Sequence, residues 1–257
     1  MKYSIIIPTY KRPDKLIRAV QSVFAQKIKS FEIIIANDSP GYSYAAFETY
    51  CIGLTDDQKD QIVYIQNLQN SGSNFSKNAA LGQVSKSTDY VMFLDDDDWL
   101  SSNALVDIDG YLKRNMVAWL VTNRVLKDGK SLTFSPKEKI HYFWDYLITK
   151  RVKGDATHII KRAYATRYSF SKNAKNTEEW FYFIQLPVDA IYKPYNTTES
   201  EGYDQDGITT NLQMIYADNT KLLMREARGF KMHIYLIIRY VYGMLKKQKS
   251  TGNNAQG

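Results

Sequence analysis

Short apolar runs alternate with polar loops through residues 1–100. Ser4–Ile7 is isoleucine-rich and suits a strand buried on both faces. Pro8-Thr9-Tyr10-Lys11-Arg12-Pro13 then breaks the run as a loop. From Asp14 to Gln26 the apolar residues are Leu16, Ile17, Val20, Val23 and Phe24, a helical spacing with an acid in the first turn. Phe31–Ala36 predicts a second buried strand, ending at Asn37-Asp38-Ser39-Pro40. This strand–helix–strand order predicts a right-handed crossover in a parallel sheet. Residues 43–60 are polar and helical in part. Ile62–Gln66 reads as a third strand, Asn70–Asn74 as a loop, and Ser76–Val84 as a helix. Tyr90–Leu94 is a fourth buried strand that runs directly into Asp95-Asp96-Asp97-Asp98-Trp99.

The second half is less regular. Val117–Lys127 predicts a strand, and residues 128–157 are mixed, with a helix around Tyr142–Lys150. Lys161–Tyr168 and Glu178–Leu186 read as helices, and residues 193–207 as a polar loop. Phe230–Lys249 carries an apolar stretch, Ile234–Leu245, interrupted by Arg239 and Gly243. It is shorter than the ~20 apolar residues of a membrane span. Its tyrosines and basic ends suit a helix lying in a membrane interface, and the plainer reading is a helix docked on the core with a soluble lysine end.

The 257 residues fit one α/β domain with an appendage. One cysteine, Cys51, excludes an intrachain disulfide and a cysteine-based zinc site. His141, His158 and His233 show no zinc-ligand spacing, so each reads as structural, with His158, in the acceptor half, also suited to contact substrate. The net charge of +7 is carried by residues 221–257, which hold eight basic residues and the single acid Glu226. With the excess confined to the tail, no nucleic-acid surface is expected. The opening apolar run is too short for a signal peptide. The expected location is cytoplasmic, peripheral on the inner face of the cell membrane.

In an open parallel sheet, ligands bind beyond the carboxyl ends of the strands. Three polar clusters directly follow predicted strands: Thr9–Arg12, Asn37–Ser39 and Asp95–Asp98. The acidic run suits hard Mg²⁺ or Mn²⁺, which take oxygen ligands from one or two carboxylates and substrate phosphates. A turn or helix start is the plainer reading of such a run. Asp38 suits a turn, or acceptance of hydrogen bonds from a nucleobase or ribose. Tyr10 suits stacking on a base, and Lys11, Arg12 and Lys77 suit facing phosphates.

These motifs resemble the family 2 glycosyltransferases of the GT-A fold. Ser4-Ile-Ile-Ile-Pro-Thr-Tyr-Lys-Arg-Pro13 is similar to that family's first strand and loop. Phe31-Glu-Ile-Ile-Ile-Ala-Asn-Asp-Ser39 is similar to its second strand with the base-binding aspartate. Asn70–Leu81 is similar to its glycine-containing loop and helix, and Phe93–Leu100 to its Asp-X-Asp motif. Asn176-Thr-Glu-Glu-Trp-Phe-Tyr-Phe-Ile-Gln-Leu186 is similar to the later acidic motif, with Glu178-Glu179 in place of its usual pair. Asn37 and Pro40 depart from the family pattern.

The resemblance implies an α/β GT-A fold: a Rossmann-like, mostly parallel central sheet flanked by helices, with a C-terminal amphipathic helical tail. Residues 1–100 would be the nucleotide-sugar-binding half, 101–220 the acceptor-binding half of the same domain, and 221–257 the basic tail. Asp97 would hold Mn²⁺ or Mg²⁺ with help from Asp95. Pro8, Thr9, Tyr10, Arg12, Asp38, Gly72, Lys77, Asp95 and Asp96 would form the donor site. Glu179 would be the general base, with Glu178 capping its helix or binding acceptor. Asp98 would only cap the next stretch of chain. The implied reaction moves one sugar, with inversion, from a nucleotide-diphospho-sugar to a hydroxyl of a glycan or lipid-linked acceptor, in cell-surface polysaccharide biosynthesis. A sugar nucleotidyltransferase is the alternative, but Pro8–Pro13 lacks the glycine-rich phosphate loop expected there. A non-catalytic, membrane-associated nucleotide-sugar-binding protein is a third reading, which the intact acids disfavour.

Overall fold

The computed structural model describes residues 1–126, 131–132, 137–152, 155–201 and 212–253, with backbone alone for 131–132, 212–218 and 245–253. In chain order the first elements are β1 (Tyr3–Thr9), α1 (Pro13–Phe24), β2 (Phe31–Asn37), α2 (Ala45–Ile52), α3 (Asp56–Asp60) and β3 (Ile62–Gln66). Next come α4 (Ser73–Leu81), β4 (Tyr90–Phe93), β5 (Asp98–Leu100), α5 (Ala104–Asn115) and β6 (Trp119–Leu126). After β7 (Ser131–Leu132) and β8 (Lys139–Ile140), a π-helical turn spans Phe143–Ile148. The chain continues through β9 (Ala156–Lys161), α6 (Arg162–Ala165), α7 (Trp180–Phe183), β10 (Ala190–Ser200), α8 (Leu212–Glu226) and α9 (Phe230–Asn253).

One sheet runs in the order β3-β2-β1-β4-β9-β6-β10-β5, with β7 on β6 and β8 on β10. β1 pairs in parallel with β2 and β4, and β2 with β3. The period of two along each strand divides the core into two layers. Ile5, Ile7, Ile33, Ile35 and Met92 pack with Leu16, Val20 and Ile108 of α1 and α5 on one face. Ile6, Ile34 and Val91 pack with Ala80, Phe170 and Tyr182 on the other. Both faces are covered, so these strands read as unbroken apolar runs. Each fully buried isoleucine contributes about 1.5–3 kcal/mol over an exposed one.

Several boundaries differ from expectation. β1 continues through Pro8 to Thr9, because a strand end tolerates the missing N–H and Thr9 still accepts from the Asp38 amide at 2.9 Å. The helix expected over Lys161–Tyr168 is reduced to α6. β9, with Thr157–Ile160 all buried, lies antiparallel to both β4 and β6. The polar loop expected from residue 193 is instead the second half of β10, as far as Ser200; residues 202–207 lie outside those described. β10 pairs with β6 across two register shifts, between Lys193, Asn196 and Thr198. Such bulges bend a strand and re-aim its side chains. Here the first contains Pro194 and the second leads into Thr198, which lines the site described below. The helix expected over Glu178–Leu186 is the single turn α7, and the one around Tyr142–Lys150 is π-helical.

Candidate active site

Three chain segments at the carboxyl ends of β1, β2 and β4 meet, as the strand order requires. Thr9 Oγ1 donates to Asp96 Oδ2 at 2.8 Å, and the Tyr10 amide reaches the same oxygen at 3.4 Å. Arg12 Nη1 bridges Asp96 at 3.3 Å and Asp97 at 2.9 Å. The Lys11 amide donates to Ser39 Oγ at 2.8 Å, and the Tyr44 hydroxyl lies 3.0 Å from Thr9 Oγ1. Tyr10 itself is exposed at the rim, and Pro8 is buried in β1.

The four aspartates have four different settings. Asp96 is buried against the first loop; desolvation pushes its carboxyl up to about 6, against the Thr9 hydrogen bond and Arg12. Asp95 lies 3.5 Å from the Lys77 ammonium, which above all holds its carboxyl below the usual range, against burial. Asp97 is clamped by Arg12, and its carbonyl accepts from Arg18 Nη2 at 2.9 Å. Asp98 departs from its expected role as a simple cap. It is buried on β5 and paired with Arg124 Nη2 at 2.7 Å. Desolvation raises its carboxyl to about 8, with Arg124 opposing. Carboxylate oxygens of Asp95, Asp97 and Asp98 lie within 4.8 Å of one another. This oxygen-only donor set fits a hard divalent cation.

Lys77 lies on α4 and is only 3% exposed. Its ammonium contacts both Asp95 and Glu179. Burial lowers its pKa, and the two carboxylates outweigh that, so it stays protonated. Lys77 thereby joins the acidic run to Glu179, which lies 102 residues beyond the lysine in sequence. Around them is a small pocket of about 50 Å³, lined also by Phe93, Arg124, Thr157, His158, Phe170 and Thr198.

Asp38 and Gly72 have tasks that need no ligand. Asp38 Oδ1 accepts from Asn67 Nδ2 at 2.8 Å and from the Ser71 amide at 2.9 Å, and Oδ2 accepts from the Gly72 amide at 2.7 Å. The buried carboxylate fastens the 67–72 loop to β2. Gly72 has φ +91°, and a Cβ there would sit 2.3 Å from the Lys175 carbonyl oxygen. A glycine is needed because the two backbones touch.

Glu178 departs from expectation. It neither caps α7 nor faces the pocket. Its carboxylate accepts from Trp180 Nε1 and from Arg239 Nη2 of α9, the latter at 2.5 Å, and both ionic partners are buried. Thr177 and Glu178 both have positive φ, 67° and 61°. For residues other than glycine this conformation persists only where its surroundings enforce it. Here the Thr177 carbonyl accepts from Asn74 Nδ2 at 3.1 Å and the Ser73 amide donates to Asn176 Oδ1 at 2.8 Å. The turn leaves Glu179, rather than Glu178, toward Lys77.

Arg124, Tyr44 and Thr198 are not foreseen from sequence as parts of this cluster, and Asp98 is expected there only as a cap. Arg124 carried a legible signal: a charge within the apolar strand Val117–Lys127.

One mostly parallel sheet, covered on both faces and with an acidic cluster at its strand ends, is the α/β architecture in which ligands bind beyond the carboxyl ends of the strands. The family model for glycosyl transferase family 2 matches residues 4–174, and the chain belongs to that family. The succinoglycan biosynthesis protein ExoW of Rhizobium meliloti is 34% identical over 106 residues, 40% of this chain and 32% of its own length. A GalNAc(5)-diNAcBac-PP-undecaprenol beta-1,3-glucosyltransferase of Campylobacter jejuni is 40% identical over 106 residues, 40% of this chain and 32% of its own. The match thus spans about a third of either relative. A crystal structure of S. aureus TarS 1-349 in complex with UDP-GlcNAc superposes with a TM-score of 0.64 at 15% identity, covering 95% of this chain and 72% of that one. At that identity the likeness is one of fold, the GT-A architecture.

Proposed function

We propose that the protein transfers a single sugar from a nucleotide-diphospho-sugar to a hydroxyl group, inverting the anomeric centre, in the building of a cell-surface glycan. The observation that carries this reading is the Lys77 bridge, which sets Asp95 and Glu179 on one buried ammonium. A direct displacement needs a carboxylate base on the acceptor side and charge compensation on the leaving-group side. Glu179, Lys77 and the acidic run line one pocket, which supports assigning these two tasks to them.

Donor recognition falls to the first-loop residues. Tyr10, exposed at the rim, offers a face to the base, and Thr9 and Arg12 hold Asp96 beneath it. Asp38 and Gly72 shape that pocket by fixing the 67–72 loop. Asp95 and Asp97, joined by Asp98, would hold Mn²⁺ or Mg²⁺, which when bound compensates the negative charge of the leaving nucleoside diphosphate. Glu179 takes the proton from the acceptor hydroxyl as its oxygen attacks the anomeric carbon. The bond to the diphosphate breaks on the opposite side. Lys77 orients Glu179 and places a positive charge beside the departing phosphates. The Campylobacter relative's acceptor is carried on undecaprenol diphosphate. We extend that class, a lipid-linked glycan, to this chain as the acceptor.

Glu179→Gln is the direct test of the base. It should lower the transfer rate by about 10²–10⁴-fold, the worth of a positioned base. Donor affinity by calorimetry should change little. Full transfer activity in Glu179→Gln would remove it as the base.

A further inference from the structure

Helix α9 has two faces with different fates. Its inner face is docked: Leu236 packs with Ala174, Phe181 and Leu223, and Arg239 is paired with Glu178 and lies over the Trp180 ring at 4.9 Å. Its outer face carries Phe230, Ile234, Ile237, Ile238, Val241 and Met244, all exposed. Their spacing by three and four places them along one stripe. A second element extends the apolar surface. Trp144 and Ile148 of the π-helical turn are exposed, and Lys231 of α9 lies over the Trp144 ring at 5.9 Å. No helix among the described residues is long and apolar enough to cross a membrane.

Contiguous exposed apolar surface of this kind marks an interaction site. The charge pattern selects its occupant. Arg228 and Lys231 stand at the start of the stripe, and the sequence puts Lys246, Lys247 and Lys249 after its end. Glu226, the single acid of residues 221–257, is turned away and accepts from Ser171 Oγ at 2.7 Å and from the Asn173 amide at 3.0 Å. A second copy packed antiparallel on this stripe would oppose basic end to basic end. An anionic bilayer matches both the apolar stripe and its basic flanks.

We propose that the outer face of α9, extended by Trp144 and Ile148, seats the protein on an anionic lipid surface, with the helix lying in the plane of the headgroups. The inner face of the same helix grips Glu178, the residue before Glu179. Seating therefore fixes the pocket at a set height above the bilayer, within reach of an acceptor displayed there. The seating itself does not depend on the reaction proposed above.

Co-sedimentation with vesicles of phosphatidylglycerol mixed with phosphatidylcholine, against phosphatidylcholine alone, tests this. The protein should sediment with the anionic vesicles and be released by rising salt. The double variant Ile234→Glu/Ile238→Glu should need about tenfold more lipid for half-binding, or worse. Trp144→Ala should weaken binding less, while both variants keep the thermal midpoint of the parent. Equal sedimentation of parent and double variant would overturn the proposal. So would a parent that ignores vesicles but self-associates in ultracentrifugation, with the double variant monomeric; the stripe would then belong to a second copy.

Discussion

A Cβ on Gly72 would press 2.3 Å from the Lys175 carbonyl oxygen, and φ there is +91°. Neither conflict can relax without moving the loop that Asp38 fastens. Gly72→Ala should therefore destabilise the fold by at least about 1–3 kcal/mol, read from urea unfolding, and loosen donor binding with it. A second prediction at this scale concerns His158. It is buried, stacked on Phe183 at 3.9 Å, and accepts from Trp119 Nε1 at 3.1 Å. Burial, with a smaller push from Lys77, takes its pKa down to about 3. In the unfolded chain it titrates near ~6.5. Between these values the unfolded chain binds the extra proton, so this contribution to stability is whole above the upper value and lost as pH falls. The slope is about 1.4 kcal/mol per pH unit. Urea midpoints measured from about pH 6.5 down to 5 should fall more steeply for the parent than for His158→Gln. Equal slopes would show that His158 is not held neutral. Sequence alone made His158 structural by default, and its partners are the reason. For the aspartates, position in the run gave little. Asp98 read as a cap because nothing in the sequence announces Arg124 as its partner. Only the strand pairing of β5 with β10, and of β10 with β6, brings the two together.

Elements that stack neighbours of similar sequence distance were legible, and elements that serve the site were not. β1, β2, β3 and β4 are buried on both sides or pair in register, and their apolar runs announced them. β9 and the end of β10 were missed. Their polar residues point at the pocket, where Thr157 Oγ1 donates to Thr198 Oγ1 at 2.7 Å. A strand that lines a polar site loses the apolar alternation by which strands are read. Helix α9 was legible as an amphipathic segment, but Arg239 looked like an interruption of its apolar stretch. It is instead the pin of the docked face. Side chains of Arg239 and Glu178 are 5% and 7% exposed. Arg239→Met should cost about 3–5 kcal/mol by leaving Glu178 charged and unpaired. Arg239→Met combined with Glu178→Gln should recover a large part of that loss in thermal or urea unfolding. A single-variant cost near zero would mean that α9 is not held by this pair.

At the scale of the whole molecule, the strand order brings three distant loops to one edge, and core layers pack on both faces of the sheet behind it. The convergence was legible because parallel strands joined by right-handed crossovers leave their carboxyl ends side by side. The closing of the pocket by residues 170–179 was not, because it depends on the Thr177–Glu178 turn and on Lys77 reaching across it. Sugar transfer requires that this closure form a catalytic centre. The most direct test is nucleoside diphosphate release by the purified protein from a panel of nucleotide sugars with Mn²⁺, in parallel with Asp97→Ala. The parent should release nucleoside diphosphate from one or a few donors, slowly without acceptor and faster with it. Removal of the metal by chelation or the loss of Asp97 should suppress the release. Full activity in Asp97→Ala, or pyrophosphate release from a nucleoside triphosphate and a sugar phosphate instead, would contradict a metal-assisted sugar transfer at this pocket.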